Sequence, residues 1–204
     1  MTAPPLTDLI ALDDTAQDLL FRAARTANAF TDEPVTDDHI RAIHDLVRYG
    51  PTAFNGQPLR VVVVRSADAR QRLLPHLAEG NRAKTAAAPL VAILAADTGF
   101  HEYLPRTTPH RPQLRDRFAE DPAGRETQAR FNATLQIGYL ILGIRAAGLA
   151  AGPMAGFNPA GVDAEFFPDG RLRSLLIVNI GRTAPDAWAE RLPRLDHDEV
   201  IHII

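Results

Sequence analysis

The stretch from about Arg125 to Ala147 constrains the fold more than any other. It contains no proline, and its apolar residues (Phe131, Leu135, Ile137, Tyr139, Leu140, Ile141, Leu142, Ile144) recur on nearly all sides of a helix. A helix that is apolar all round has to be buried, so the stretch predicts a central helix with the rest of the chain laid around it, stopped by Gly148. With 204 residues, 46% hydrophobic and 23% charged, the chain suits one globular domain, taken as residues 1–204.

Periodicity predicts an early helix over about Asp14–Ala24 and a second over Thr36–Val47, with Thr36 as its cap and Gly50-Pro51 as its stop. Leu59–Arg65 is short and β-branched and reads as a buried strand, followed by a helix from Ser66 to about Leu77. Leu90–Ala95 and Leu172–Ile180 read as two further strands, and Asn158-Pro159 as the cap and first residue of another helix. Between Asp97 and Gly124, prolines at 105, 109, 112 and 122 suggest a long functional loop or lid. Strands interspersed with helices make an α+β domain. Its apolar end, Ile201, Ile203 and Ile204, needs a surface to cover it, which a partner subunit would supply.

Several chemistries are excluded. The chain has no cysteine, so disulfides, thiolate metal sites and cysteine nucleophiles are absent. Its 22 basic and 25 acidic residues give a net charge of -3, too balanced for a nucleic-acid footprint. The opening MTAPPLTDLIALDDTAQDLL lacks the basic and apolar regions of a leader, and no apolar run would span a bilayer, so a soluble, cytoplasmic protein without a membrane partner is expected. Neither serine, Ser66 or Ser174, lies in a G-x-S-x-G elbow. Gly143–Gly148 has P-loop glycine spacing but lacks the Lys-Ser/Thr and ends a helix, and no G-x-G-x-x-G follows a strand. The pairs His39/His44 and His197/His202 are five apart, which puts the two rings of each on different helix faces, so no metal site is expected.

Four amide-rich or small-residue stretches remain: Ala24–Phe30, Gly50–Pro58, Asn81–Lys84 and Gly152–Phe157. Each adjoins a predicted helix end, where free backbone N–H groups can meet an anion or a polar ring edge. Singly, each has a plain reading: Arg25 and Lys84 as solvated surface cations, Asn55 and Gln57 as turn residues, Gly152 and Gly156 as a tight turn. Lys84 is the only lysine among the 22 basic residues.

In this order the stretches resemble the nitroreductase family of FMN-dependent oxidoreductases, most closely its malonic semialdehyde reductase branch in the Rut pyrimidine-degradation pathway. The motifs are Ala24-Arg-Thr, Tyr49-Gly-Pro-Thr, Gly80-Asn followed by Lys84-Thr, Gly152-Pro-Met-Ala-Gly-Phe157, Val178-Asn-Ile-Gly181 and Arg191-Leu-Pro-Arg-Leu195, from about Ala24 to the end of the chain. The resemblance implies an intertwined homodimer with helices around a mixed, mostly antiparallel sheet. FMN lies at the interface, and each chain's termini reach across to the other.

It also implies roles. Arg25 would bind the FMN phosphate or ribityl chain, with Thr26 and Asn28 nearby. Arg194 would be the second phosphate ligand and Arg191 a weaker one. Thr52, Ala53, Asn55 and Gln57 would reach the other subunit's flavin. Asn81 and Lys84 would meet the pyrimidine edge of the ring. Pro153, Met154, Ala155 and Gly156 would run along the ring, a backbone N–H reaching N5.

A lysine suits the charge that develops near N1 and O2, and an arginine fork suits phosphate. NAD(P)H is implied as a transient co-substrate in ping-pong hydride transfer through N5. The second substrate is a small acidic aldehyde, malonic semialdehyde reduced to 3-hydroxypropanoate, with Arg106 and Arg111 as carboxylate partners and His110 as proton donor, or these residues simply form a solvated loop. The alternatives are reduction of a nitroaromatic, a quinone or another pathway-specific acceptor, and a flavin-binding protein without turnover.

Overall fold

The computed structural model describes residues 10–204, so Met1–Leu9, where the reading for a leader begins, lies outside the described residues. Helix α1 (Asp14–Gln17) is capped by Asp13, whose carboxylate accepts from the Ala16 N–H at 2.7 Å, and it widens into a π-helical turn over Asp18–Arg22. Helix α2 (Asp37–Val47) starts at the expected cap. Thr36 Oγ1 accepts from the His39 N–H, and His39 Nδ1 accepts in return from the Thr36 N–H at 3.1 Å. His39 is thus a capping residue.

Four strands follow: β1 (Leu59–Val64), β2 (Leu90–Asp97), β3 (Ala150–Met154) and β4 (Leu172–Gly181), in the order β1-β2-β4-β3. Every pairing between them is antiparallel. The α+β class with a mostly antiparallel sheet therefore holds. Two expectations are corrected. β1 is an edge strand, half-buried along most of its length, because only β2 pairs with it. β3 was read as a turn after the long helix; its Gly152 and Pro153 are compatible with a strand because the outer side of an edge needs no ladder donor.

All eight residues of β2 are buried, with alternate side chains serving opposite faces. Leu90, Ala92 and Leu94 pack with Ile43 of α2 and with Ile137, Leu140 and Ile144 of the central helix, α7 (Pro122–Ala146). Val91, Ile93 and Ala95 pack with Leu73 of α3 (Ala67–Leu73) and with Val162 of α8 (Pro159–Phe166). Helices therefore cover both faces, and each large side chain taken fully from water contributes about 1.5–3 kcal/mol. Gly143 lets α7 approach α2, since an added Cβ would lie 2.4 Å from Val47 Cγ1.

The helix expected over Ser66–Leu77 ends as a tighter 3-10 turn over Leu74–His76, where Pro75 removes a donor, and α4 (Glu79–Ala87) follows. Gly148 ends the last turn after α7 with φ +71°. Asn158 caps α8 through its side chain, as its sequence suggests.

The loop expected over Asp97–Gly124 is corrected. It contains a 3-10 turn at Phe100–Tyr103, α5 (Leu104–Thr107), α6 (Leu114–Glu120) and the start of α7. Pro105 and Pro122 stand in first turns, where no N–H is required. Phe100, Leu104, Leu114 and Phe118 are buried against Ala129 and Ala133 of α7, which anchors the segment. Burial of α7 on all sides is also corrected: Phe131 is 69% exposed in a single copy. The final short helix, α9 (His197–Val200), precedes Ile201, Ile203 and Ile204, which are exposed.

Candidate functional site

The expected site residues fall into two groups on opposite edges of the sheet. At the β3 edge, the chain after α1 runs alongside the strand: the Ala27 N–H donates to Ala151 O at 3.0 Å, and the Asn28 N–H to Ala187 O at 2.9 Å. This approach depends on Gly152, where a Cβ would stand 2.5 Å from Ala27 O. Asn28 is thereby held against α4, and Lys84 Nζ donates to its Oδ1 at 3.2 Å. One turn earlier, Asn81 Nδ2 donates to Gly156 O at 3.0 Å. The exposed N–H groups of Ala155 and Gly156 make no hydrogen bond among the described residues. Asn28, Asn81, Lys84 and the 155–156 amides thus form one polar surface. Thr26 is exposed beside them, Pro153 is half-buried in β3, and Met154 faces the core.

The three arginines expected at the phosphate make different contacts. Arg25 Nη1 donates to Ala189 O at 3.1 Å. Arg191 is committed to closing the π-helical turn, donating from Nη2 to Arg22 O and to Ala24 O. Arg194 reaches only the carbonyls of Leu192 and Pro193, its immediate neighbours. Each of the three donates from one nitrogen among the described residues, so all have guanidinium nitrogens left for an anion.

At the β1 edge, residues 52–57 form a tight loop. Phe54, Asn55 and Gln57 have φ of 57°, 50° and 47°. Such left-handed conformations cost non-glycine residues energy and persist only where the surroundings impose them. Here Gln57 Nε2 donates to Asn55 Oδ1 at 2.9 Å, the Gln57 N–H to Thr52 Oγ1 at 3.2 Å, and Asn55 Nδ2 to Thr107 O at 2.8 Å. From α7, Asn132 Oδ1 accepts from the Ala53 N–H at 2.7 Å, and Gln136 Oε1 from the Leu59 N–H at 3.0 Å. A cleft of about 500 Å³ beside this loop is lined by Ala53, Phe54, Asn55, Thr107, Thr108, His110 and Arg111. Arg106 does not line it and lies over the Tyr103 ring instead, 5.6 Å from the centroid.

The reading from sequence missed the supports of both groups. Asn132 and Gln136 are i,i+4 amides among the apolar residues Phe131, Leu135 and Ile137 of α7, and that spacing was the available signal. Thr85 and Asn179 are fully buried under the β3-edge surface, with Asn179 Nδ2 donating to Thr85 Oγ1 at 3.2 Å and the hydroxyl to Met154 Sδ at 3.8 Å. Both also break apolar surroundings. Near the cleft, Asp97 is 1% exposed and accepts from Arg60 Nη2 at 2.6 Å and Arg171 Nε at 2.8 Å. That hydrogen bond raises the Arg171 pKa further, and burial followed by the Arg125 charge lowers that of His101.

No helix among the described residues is long and apolar enough to cross a membrane. The structural neighbours establish the fold alone. A Staphylococcus epidermidis protein provisionally described as an NAD(P)H:FMN oxidoreductase superimposes with a TM-score of 0.82 at 19% identity, over 96% of this chain and 98% of that one. A protein from Exiguobacterium sibiricum provisionally described as a nitroreductase, solved in complex with FMN, gives 0.80 at 19% identity, over 95% and 98%. In sequence, a Streptomyces griseus protein whose provisional name reads NADH dehydrogenase/NAD(P)H nitroreductase is 61% identical over 94% of this chain and 97% of its own. A relative from Leptothrix cholodnii with the same provisional name is 48% identical over 95% and 98%. The model of the nitroreductase family matches residues 22–182, and the chain belongs to that family.

Proposed function

We propose that the protein is an FMN-dependent NAD(P)H oxidoreductase that works as a homodimer, with a flavin site made by both subunits. One observation carries this reading. The two polar groups lie at opposite edges of a four-stranded sheet, three interstrand spacings or about 14 Å apart. In one copy the sheet and the helices on its two faces stand between them, whereas a second copy can present its 52–57 loop to the first copy's β3 edge. The exposed apolar residues Leu46 of α2, Tyr49 just after it, and Phe131 and Leu135 of α7, with Ile201, Ile203 and Ile204, are what such a partner would cover.

The donors present fit the cofactor. Two free amides at Ala155 and Gly156, an asparagine and a lone lysine offer hydrogen bonds and a compact positive charge to a polar ring edge, and Arg25 and Arg194 offer planar forks to a phosphate. When bound, FMN supplies reversible uptake and release of hydride, taken from NAD(P)H and passed on to an acceptor. Lys84, fixed by Asn28 Oδ1, would supply a compact positive charge to the negative edge of the bound ring. In the cleft beside the 52–57 loop, Arg111 holds an acidic acceptor by its carboxylate and His110 delivers the proton its reduced oxygen requires. That lining favours a small acidic aldehyde such as malonic semialdehyde. The provisional names of the relatives favour a nitroaromatic or quinone instead.

The test is reconstitution with FMN and assay of NADPH and NADH oxidation with malonic semialdehyde against a nitroaromatic. Stoichiometric flavin and faster turnover of the aldehyde are expected. Bound flavin with no turnover of any acceptor would favour a non-catalytic flavin carrier, and failure to take up FMN would overturn the whole reading. Lys84→Ala should lower the flavin potential and slow reduction by NADPH while leaving the fold intact.

A further inference from the structure

Arg106, Arg111, Arg115 and Arg117 occur within twelve residues that contain one acid, Asp116. None of the four makes a side-chain hydrogen bond or ion pair among the described residues, although most arginines of this chain do. Arg106 is also held in place. Its guanidinium lies 5.6 Å from the centroid of the Tyr103 ring, and those of Arg60 and Arg171 lie 5.3 and 5.8 Å from the same centroid. Three cations around one ring repel one another. Arg60 and Arg171 are compensated by Asp97, and Arg171 also by Glu102 at 2.9 Å, so Arg106 carries the uncompensated charge. A stacked guanidinium has lost much of its side-chain freedom already, which lowers the entropy cost of binding an anion.

We propose that Arg106, shelved on Tyr103, is the docking point for the phosphates of NAD(P)H. This rests on the oxidoreductase reading above. Asn55 donates to Thr107 O, so Arg106 is one residue from the loop that faces the partner's flavin, and yet it lies outside the 500 Å³ cleft beside that loop. A small acceptor fits within the cleft. An extended ligand with its reacting ring at one end and anionic groups at a distance can engage both places, and a dinucleotide is such a ligand. The net positive surroundings also suit a multiply charged phosphate over a single carboxylate.

The experiment measures KM for NADPH, NADH and acceptor, together with FMN affinity, in the wild type and in Arg106→Ala, Arg106→Lys and Tyr103→Leu. Arg106 is exposed, so these variants should fold. Loss of one charge-assisted contact should raise KM for the reduced nucleotide about tenfold in Arg106→Ala. Arg106→Lys should recover part of the loss, because it keeps the charge without the stacking plane. A rise for both nucleotides places the pyrophosphate at Arg106, and one confined to NADPH places the extra ribose phosphate there. Unchanged nucleotide constants, a rise confined to the acceptor, or weakened FMN binding would overturn the proposal. Calorimetric titration with inorganic pyrophosphate decides the subsite even if the protein turns over nothing: binding by the wild type that is lost in Arg106→Ala supports it, and no wild-type binding overturns it.

Discussion

At the scale of single residues, burial decides what a titratable group does. His101 is 8% exposed, its Nδ1 has no partner among the described residues, and its Nε2 lies 3.4 Å from Arg125 Nη1. Desolvation first, and then the Arg125 charge, hold its pKa below the ordinary 6.5. A histidine with a depressed folded-state pKa contributes stability that is complete above its unfolded value and lost as pH falls through the folded one. Thermal unfolding should therefore show Tm declining as pH drops below about 6.5. His101→Gln should flatten that decline, and an unchanged profile in the variant would assign the loss to other groups. The contrast with Arg106 is instructive: both belong to a stretch that sequence marks as proline-rich, but His101 is buried beside α7 and Arg106 is exposed on the Tyr103 ring.

At the scale of elements, the β3 edge depends on the absence of one side chain. Gly152 sits where the 24–30 segment hydrogen-bonds to the strand, and an added methyl would meet Ala27 O at 2.5 Å. Gly152→Ala should destabilise the fold by about 2 kcal/mol through overpacking. It should also weaken FMN binding, because Asn28 and its contact to Lys84 would shift. Chemical denaturation and flavin titration read the two effects, and a variant with both unchanged would show that the segment is not held by this strand. The π-helical turn and Arg191 belong to the same assembly: Arg191 Nη2 holds the carbonyls that end this turn, and its Nη1 and Nε have no hydrogen-bond partner among the described residues.

At the scale of the whole molecule, the proposed shared site requires a second copy, which would also cover the exposed C-terminal isoleucines. Removing residues 197–204 should shift the protein toward monomer by light scattering and accelerate loss of FMN on dilution. A truncated protein that stays dimeric with tight flavin would place the dimer contact on α2 and α7 alone.

By itself the sequence determined what is decided between near neighbours in the chain. Thr36, Ser66 and Asn158 are caps because their side chains meet N–H groups three residues on, and Gly148 stops a helix because it takes a positive φ. The α+β class, three of the four strands and the residue types of the candidate site follow from such local patterns. Only the tertiary structure decided which strands form the edges, that Gly152-Pro153 is strand, that residues 97–124 fold onto α7, and that Arg106 and Arg111 face different surroundings. Each of these depends on atoms supplied by residues distant in the chain, which pattern and propensity do not encode. The division of the candidate site between two sheet edges is of that kind, and it is the observation behind the proposed second subunit.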